Sequence, residues 1–108
     1  MVGNLSNGKL NFVANDVNLY LDEEDIFIAI DGRSKQKDNL QKVKQLYIEY
    51  GEDFVSKIDD NMAIYLYDKK ENVFIIVRDI AGLVPVYYGV IKDAIYFGND
   101  LLEIIDTY

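Results

Sequence analysis

The order of apolar and polar positions divides this chain into short strands, one helix and turns. Met1 to Gly8 reads as a polar start closing in an Asn7-Gly8 turn, and Lys9 to Val13 suits a short strand. Between Val17 and Leu21 apolar residues alternate, with Val17, Leu19 and Leu21 on one face. Ile26-Phe27-Ile28-Ala29-Ile30 is apolar throughout, which predicts a central strand covered on both faces; it runs into Asp31-Gly32, read as a turn.

Helical spacing then takes over. Leu40, Val43, Leu46, Tyr47 and Tyr50 recur on one side, and Lys42, Lys44, Gln45 and Glu49 fall largely on the other. Asp38 is a good N-cap residue, Gln41 stands three residues on as a capping box requires, and Gly51 is placed to end the helix. Glu52 to Ile58 suits a second helical piece with Phe54 and Ile58 inward. Met62–Tyr67 and Val73–Val77 read as a hairpin around 68–72, and Val84–Val90 and Ala94–Phe97 as another around Lys92-Asp93. Asn99 or Asp100 suits the cap of a closing turn of helix. The expected fold is α+β, a single domain over residues 1–108: about seven mostly antiparallel strands and one main amphipathic helix.

One stretch sits between two apolar runs and holds the only proline: Arg78-Asp79-Ile80-Ala81-Gly82-Leu83-Val84-Pro85-Val86-Tyr87-Tyr88. Asp79 suits the first position of a turn, and Gly82 takes a positive φ without steric cost. The stretch therefore reads as strand, tight turn, strand, a hairpin corner.

Composition narrows the function classes. With 108 residues, half of them hydrophobic, the chain suits one packed core. A net charge of −8 argues against nucleic acid and anionic membranes, both of which reward basic surfaces. No apolar run is long enough to span a bilayer, and the start lacks a signal-peptide pattern, so the expected location is the cytoplasm. Without cysteine there is no disulfide or thiolate metal site. Asp22-Glu23-Glu24-Asp25 lacks the spacing of a calcium loop and reads as a solvated turn, and no phosphate-cradling glycine loop occurs. No metal or cofactor is expected. Nine tyrosines are an excess, and Tyr65, Tyr67, Tyr87, Tyr88 and Tyr96 fall on predicted strands, where the residue either packs its ring or serves an interface.

The stretch from Arg78 to Tyr88 resembles the Arg-Asp-x-x-Gly-x-x-Pro-Leu-Tyr-Tyr segment of class II glutamine amidotransferase domains of the asparagine-synthetase type. Arg78, Asp79, Gly82, Pro85, Tyr87 and Tyr88 match, and Val86 replaces the leucine. Tyr47 to Phe54, Met62 to Asp68, and Phe97-Gly98-Asn99-Asp100-Leu101-Leu102 are similar to further family segments. The resemblance is specific from about Tyr47 to Ile105. It implies a reduced form of the N-terminal-nucleophile hydrolase fold, in which a terminal cysteine attacks the glutamine amide and its own α-amine acts as base.

At the positions that carry this chemistry the chain departs from the pattern. Met1-Val2-Gly3 stands where the family reads Met-Cys-Gly, and Val2 has no lone pair with which to attack. Ser6 and Ser34 remain, without a histidine to activate them. Where the family places an Asn-Gly oxyanion pair, the chain reads Asp31-Gly32. An ionised carboxylate only accepts hydrogen bonds, and losing one oxyanion donor costs roughly 3 kcal/mol or more. Where the family holds the substrate amino group with Asp-Thr-Glu, the chain has Asn39-Leu40-Gln41. The family's Arg-Arg-Leu and Arg-Gly-Pro-Asp segments have no counterpart. The resemblance thus implies a catalytically inactive domain acting as an accessory or interaction subunit. Its partner would be a separate amide ligase, a peptide-maturation enzyme, or the chain itself. Two alternatives stand beside it: a small-ligand sensor using the remnant pocket of Asp31, Gly32, Asn39 and Gln41, and an unusual active amidohydrolase.

Overall fold

The computed structural model describes residues 2–13, 19–32, 37–58, 62–78, 86–100, 102, 104 and 105. Eight strands form two four-stranded antiparallel sheets. Sheet I has the order β2(Lys9–Val13), β1(Val2–Ser6), β8(Ala94–Gly98), β7(Tyr87–Ile91). Sheet II has the order β3(Leu19–Asp22), β4(Ile26–Gly32), β5(Met62–Asp68), β6(Val73–Val77). One helix, α1(Lys37–Tyr50), is followed by a 3-10 segment, Gly51–Lys57.

Sheet II is the middle layer, because its two central strands are apolar on both faces. Ile26, Ile28 and Ile30 of β4 join Met62, Ile64 and Leu66 of β5 against Leu40 and Val43 of α1 and Phe54 of the 3-10 segment. Phe27 and Ala29 alternate to the opposite face, where they join Tyr65 and Tyr67 against Leu5 and Phe97 of sheet I. Each large apolar side chain fully buried in these two cores contributes about 1.5–3 kcal/mol. Rings lock the inter-sheet layer: Phe97 lies 5.2 Å from Tyr65 and 4.8 Å from Phe74, and Phe12 lies 4.7 Å from Phe27. The expected α+β class, the central position of Ile26–Ile30 and the inward Phe54 hold. The arrangement is that of a reduced N-terminal-nucleophile-hydrolase-like fold.

Several expectations are corrected. Residues 2–6 are not a polar lead-in but strand β1, paired on both sides, with β2 through the Asn7-Gly8 turn and with β8. Both turn residues have positive φ, as a two-residue hairpin of this hand requires. Asp31 and Gly32 continue β4 opposite Ala63 and Met62 and form no turn. Asp38 lies inside α1, which starts at Lys37. Tyr50 is exposed, its ring lying under the Lys57 ammonium instead of in the core.

The largest correction concerns the corner. β6 pairs with β5 in sheet II and β7 pairs with β8 in sheet I, so the two strands do not form a hairpin. The connection carries the chain from one sheet to the other. Asp79, Gly82 and Pro85 lie outside the described residues, and Arg78, just after β6, is exposed.

Candidate functional site

The two sheets are joined at one end by a polar contact. Alternation along β4 turns Phe27, Ala29 and Asp31 to the inter-sheet face, and the ladder sets Asp31 opposite Ala63 and Ala29 opposite Tyr65. The Asp31 carboxylate, half-buried at the strand end, accepts a hydrogen bond at Oδ2 from the Asn99 side-chain amide across 2.6 Å. Asn99 directly follows β8, whose Gly98 is paired with Val2. Val2, fully buried, and Asp31 thus belong to the same end of the sheet pair, with Asn99 as the link.

Tyr65 completes this inter-sheet cluster. It sits diagonal to Asp31 across the β4–β5 ladder and is fully buried. Its hydroxyl has no hydrogen-bond partner among the described residues. Burial first, and the Asp31 charge second, push the phenol well above its ordinary range, so it stays neutral at every physiological pH. The cluster offers one carboxylate acceptor, one carboxamide and one neutral phenol. Ser6 stands at the far end of β1 from Val2, paired with Lys9.

The other expected pocket residues separate. Gln41 is exposed on α1. Asn39 is buried in the helix layer, which covers the Ile28 and Ile30 face of sheet II, whereas the Asp31 carboxylate faces sheet I. Gly32 ends β4 opposite Met62. Tyr87 and Tyr88 are exposed on the edge strand β7.

Asn99 and Tyr65 escaped the sequence reading. Of the two cap candidates, Asn99 and Asp100, Asp100 fills the role, with its carboxylate accepting the Leu102 amide and its carbonyl the Ile104 amide. Tyr65 passed as one strand tyrosine among several.

A second polar cluster lies on the helix side. The Tyr47 hydroxyl donates to Asp68 Oδ2 at 2.7 Å, and the amides of Lys70 and Glu71 donate to Oδ1. Burial raises the Asp68 carboxyl, but these donors outweigh it and hold the carboxyl below the usual carboxylate range. Tyr47 is pushed up to about 12, by burial first and by Asp68 next. The neighbouring acidic turn is held by lysines: Lys44 bonds Glu23, and Lys69 bonds Asp22 and the Glu23 carbonyl. Among the described residues no helix is long and apolar enough to cross a membrane, and no three metal-ligating side chains gather.

A family model of glutamine amidotransferase domains matches residues 33–107. The chain is similar to a probable glutamine-hydrolyzing asparagine synthetase of Dictyostelium discoideum, 37% identical over 73 residues, covering 67% of this chain and 13% of that protein. It is also similar to the glutamine-hydrolyzing asparagine synthetase 2 of Oryza sativa subsp. japonica, 29% identical over 107 residues (84% and 18%), and to that of Zea mays, 34% over 65 residues (59% and 11%). The chain therefore spans less than a fifth of the length of these relatives. No solved structure gives a significant match. With the family model covering most of the chain and the two-sheet fold around it, the chain belongs to the glutamine amidotransferase domains, of the asparagine-synthetase type.

Proposed function

We propose that this domain keeps the amidotransferase scaffold without hydrolysing glutamine, and acts as an accessory or interaction module. The observation that carries this reading is the Asp31–Asn99 contact. Where the family resemblance sets an amide donor for the developing oxyanion, this chain has a carboxylate, already engaged by an amide. A negative charge there repels the oxyanion it should stabilise. The absence of cysteine and the valine at position 2 agree with this. The partner we infer is a separate amide-forming ligase or a peptide-maturation enzyme, in the cytoplasm. The test is release of ammonia and glutamate from glutamine by the purified chain. Hydrolysis no faster than in buffer is expected; turnover removed by Asp31→Ala would sink the reading in favour of an unusual amidohydrolase.

A second reading rests on the Tyr65 hydroxyl, buried diagonal to Asp31 and without a partner among the described residues. In this reading the domain is a small-ligand sensor in which an amino acid would supply the hydrogen-bond partner that the phenol lacks among the described residues. Glutamine, asparagine and glutamate are the probes for a thermal shift. Binding at 100 times Kd adds about 2.7 kcal/mol of stability, and no shift at high concentration removes the sensor.

A further inference from the structure

We propose that β7 is the contact strand of a homodimer, pairing antiparallel with β7 of a second copy so that the two sheets I become one eight-stranded sheet.

The four edge strands of the two sheets are not equivalent. β2 carries Lys9 and Asn11, β3 ends in Asp22, and β6 is half-buried to buried along its length. These are the ordinary protections of an open edge: charge, polarity and cover. β7, Tyr87-Tyr88-Gly89-Val90-Ile91, has none of them. All five residues are exposed, with Tyr88, Val90 and Ile91 61–66% accessible, and the strand has neither charge nor proline. Beside it a groove of about 700 Å³ is lined by Tyr87, Ile91, Tyr96, Ile104 and Ile105 among others, and none of the described residues that line it is charged.

The register favours a second copy as the occupant. Antiparallel pairing of β7 with itself about Gly89 sets Tyr87 opposite Ile91 of the other copy, and Tyr88 opposite Val90. Both are aromatic against β-branched pairs, which stabilise antiparallel ladders. At the symmetry axis Gly89 carries no side chain, and an added Cβ there meets nothing within 4 Å, so the sheet face over the axis is open. The exposed area of Tyr87, Tyr88, Val90, Ile91 and Ile105 is on the order of 600 Å² per copy, an upper limit on what pairing buries because these side chains lie on both faces of the strand, and below the roughly 800 Å² per partner of a stable interface, which sets the dimer at the weak end. A chain of net charge −8 repels itself over most of its surface, and an uncharged strand is where that repulsion is weakest. A partner drawn by charge docks elsewhere.

Sedimentation equilibrium of the wild-type chain is expected to give twice its 12.4 kDa mass, with Kd in the micromolar range typical of small interfaces. Tyr88→Lys and Val90→Lys each restore the edge charge that other strands carry, and each is expected to weaken the dimer by about tenfold or more. Ile48→Lys, at an equally exposed apolar residue on α1, leaves the dimer intact. Circular dichroism confirms that each variant is folded. A monomeric wild type up to about 1 mM, or a dimer indifferent to both β7 substitutions, overturns the proposal. Glutamine turnover is not a readout here, so this test and that of the proposed function fail independently.

Discussion

The side-chain amide of Asn99 donates to the carboxylate of Asp31 across 2.6 Å, tying the end of β4 in one sheet to the residue after β8 in the other. The residues lie 68 positions apart, so the bond closes a long loop. A half-buried hydrogen bond to a charged group contributes roughly 1–2 kcal/mol. Asp31→Ala and Asn99→Ala are each expected to cost about that much, and the double variant less than their sum, because both remove one interaction. Urea denaturation of the three variants reads the coupling, and strict additivity would show that the contact carries no energy.

Tyr65 stands diagonal to the same carboxylate with a hydroxyl that bonds nothing among the described residues. Burying an unbonded hydroxyl costs about 1–3 kcal/mol, whereas the ring packs against Phe97 whether or not the oxygen is present. Tyr65→Phe is therefore expected to equal the wild type in stability or to exceed it by about 1 kcal/mol. The same denaturation measurement decides. A clear loss of stability would mean that the hydroxyl has a hydrogen-bond partner in solution.

What was legible in the sequence follows from the range of each interaction. The helix from 37 to 50, the central strand at Ile26 and the hairpin at Lys92-Asp93 are set by periodicity and turn chemistry within a few residues. β1 was not legible. Val2-Gly3-Asn4-Leu5-Ser6 has two large apolar side chains, and its strand state comes from β2 and β8 on either side. The corner after Arg78 was misread for a related reason. Asp79, Gly82 and Pro85, outside the described residues, are turn-forming residue types, but such residues do not say which strand follows, and β7 pairs with β8 in the other sheet. The site divides the same way: Asp31 was found through the resemblance, while Asn99 and Tyr65 enter through tertiary pairing alone.

Gly3 gives a sharp test of how tightly β1 is held. The Phe97 ring, paired with it across β1–β8, lies over its α-carbon. A Cβ there would sit inside 3.0 Å of ring carbons Cζ, Cε1 and Cε2. The ring is itself fixed by Tyr65 and Phe74, so it has nowhere to retreat. Gly3→Ala is expected to destabilise by about 1–3 kcal/mol, the cost of overpacking a filled core, although alanine suits a strand better than glycine. A melting temperature equal to that of the wild type would mean the ring moves freely.

The Tyr47–Asp68 hydrogen bond makes stability depend on pH at both ends of the scale. The Asp68 carboxyl is held below its unfolded value of about 3.9, so its contribution is present above that pH and is lost as pH falls through the folded value. The Tyr47 phenol is pushed up to about 12. Its contribution is complete below the unfolded value of about 10 and is lost as pH rises through the folded one. Tyr47→Phe removes the phenol and its share of the Asp68 shift, and leaves the Lys70 and Glu71 amides on the carboxylate. The gap in stability between wild type and variant is therefore expected to be widest between about pH 5 and pH 9, and to narrow on either side. Because both groups are partly exposed, the plateau gap should be about 1 kcal/mol, below the range for buried charged bonds. Urea midpoints for the two proteins across this range measure it. A gap that stays constant with pH would show that Tyr47 stabilises by packing against Phe54, 5.8 Å away, and not through its hydroxyl.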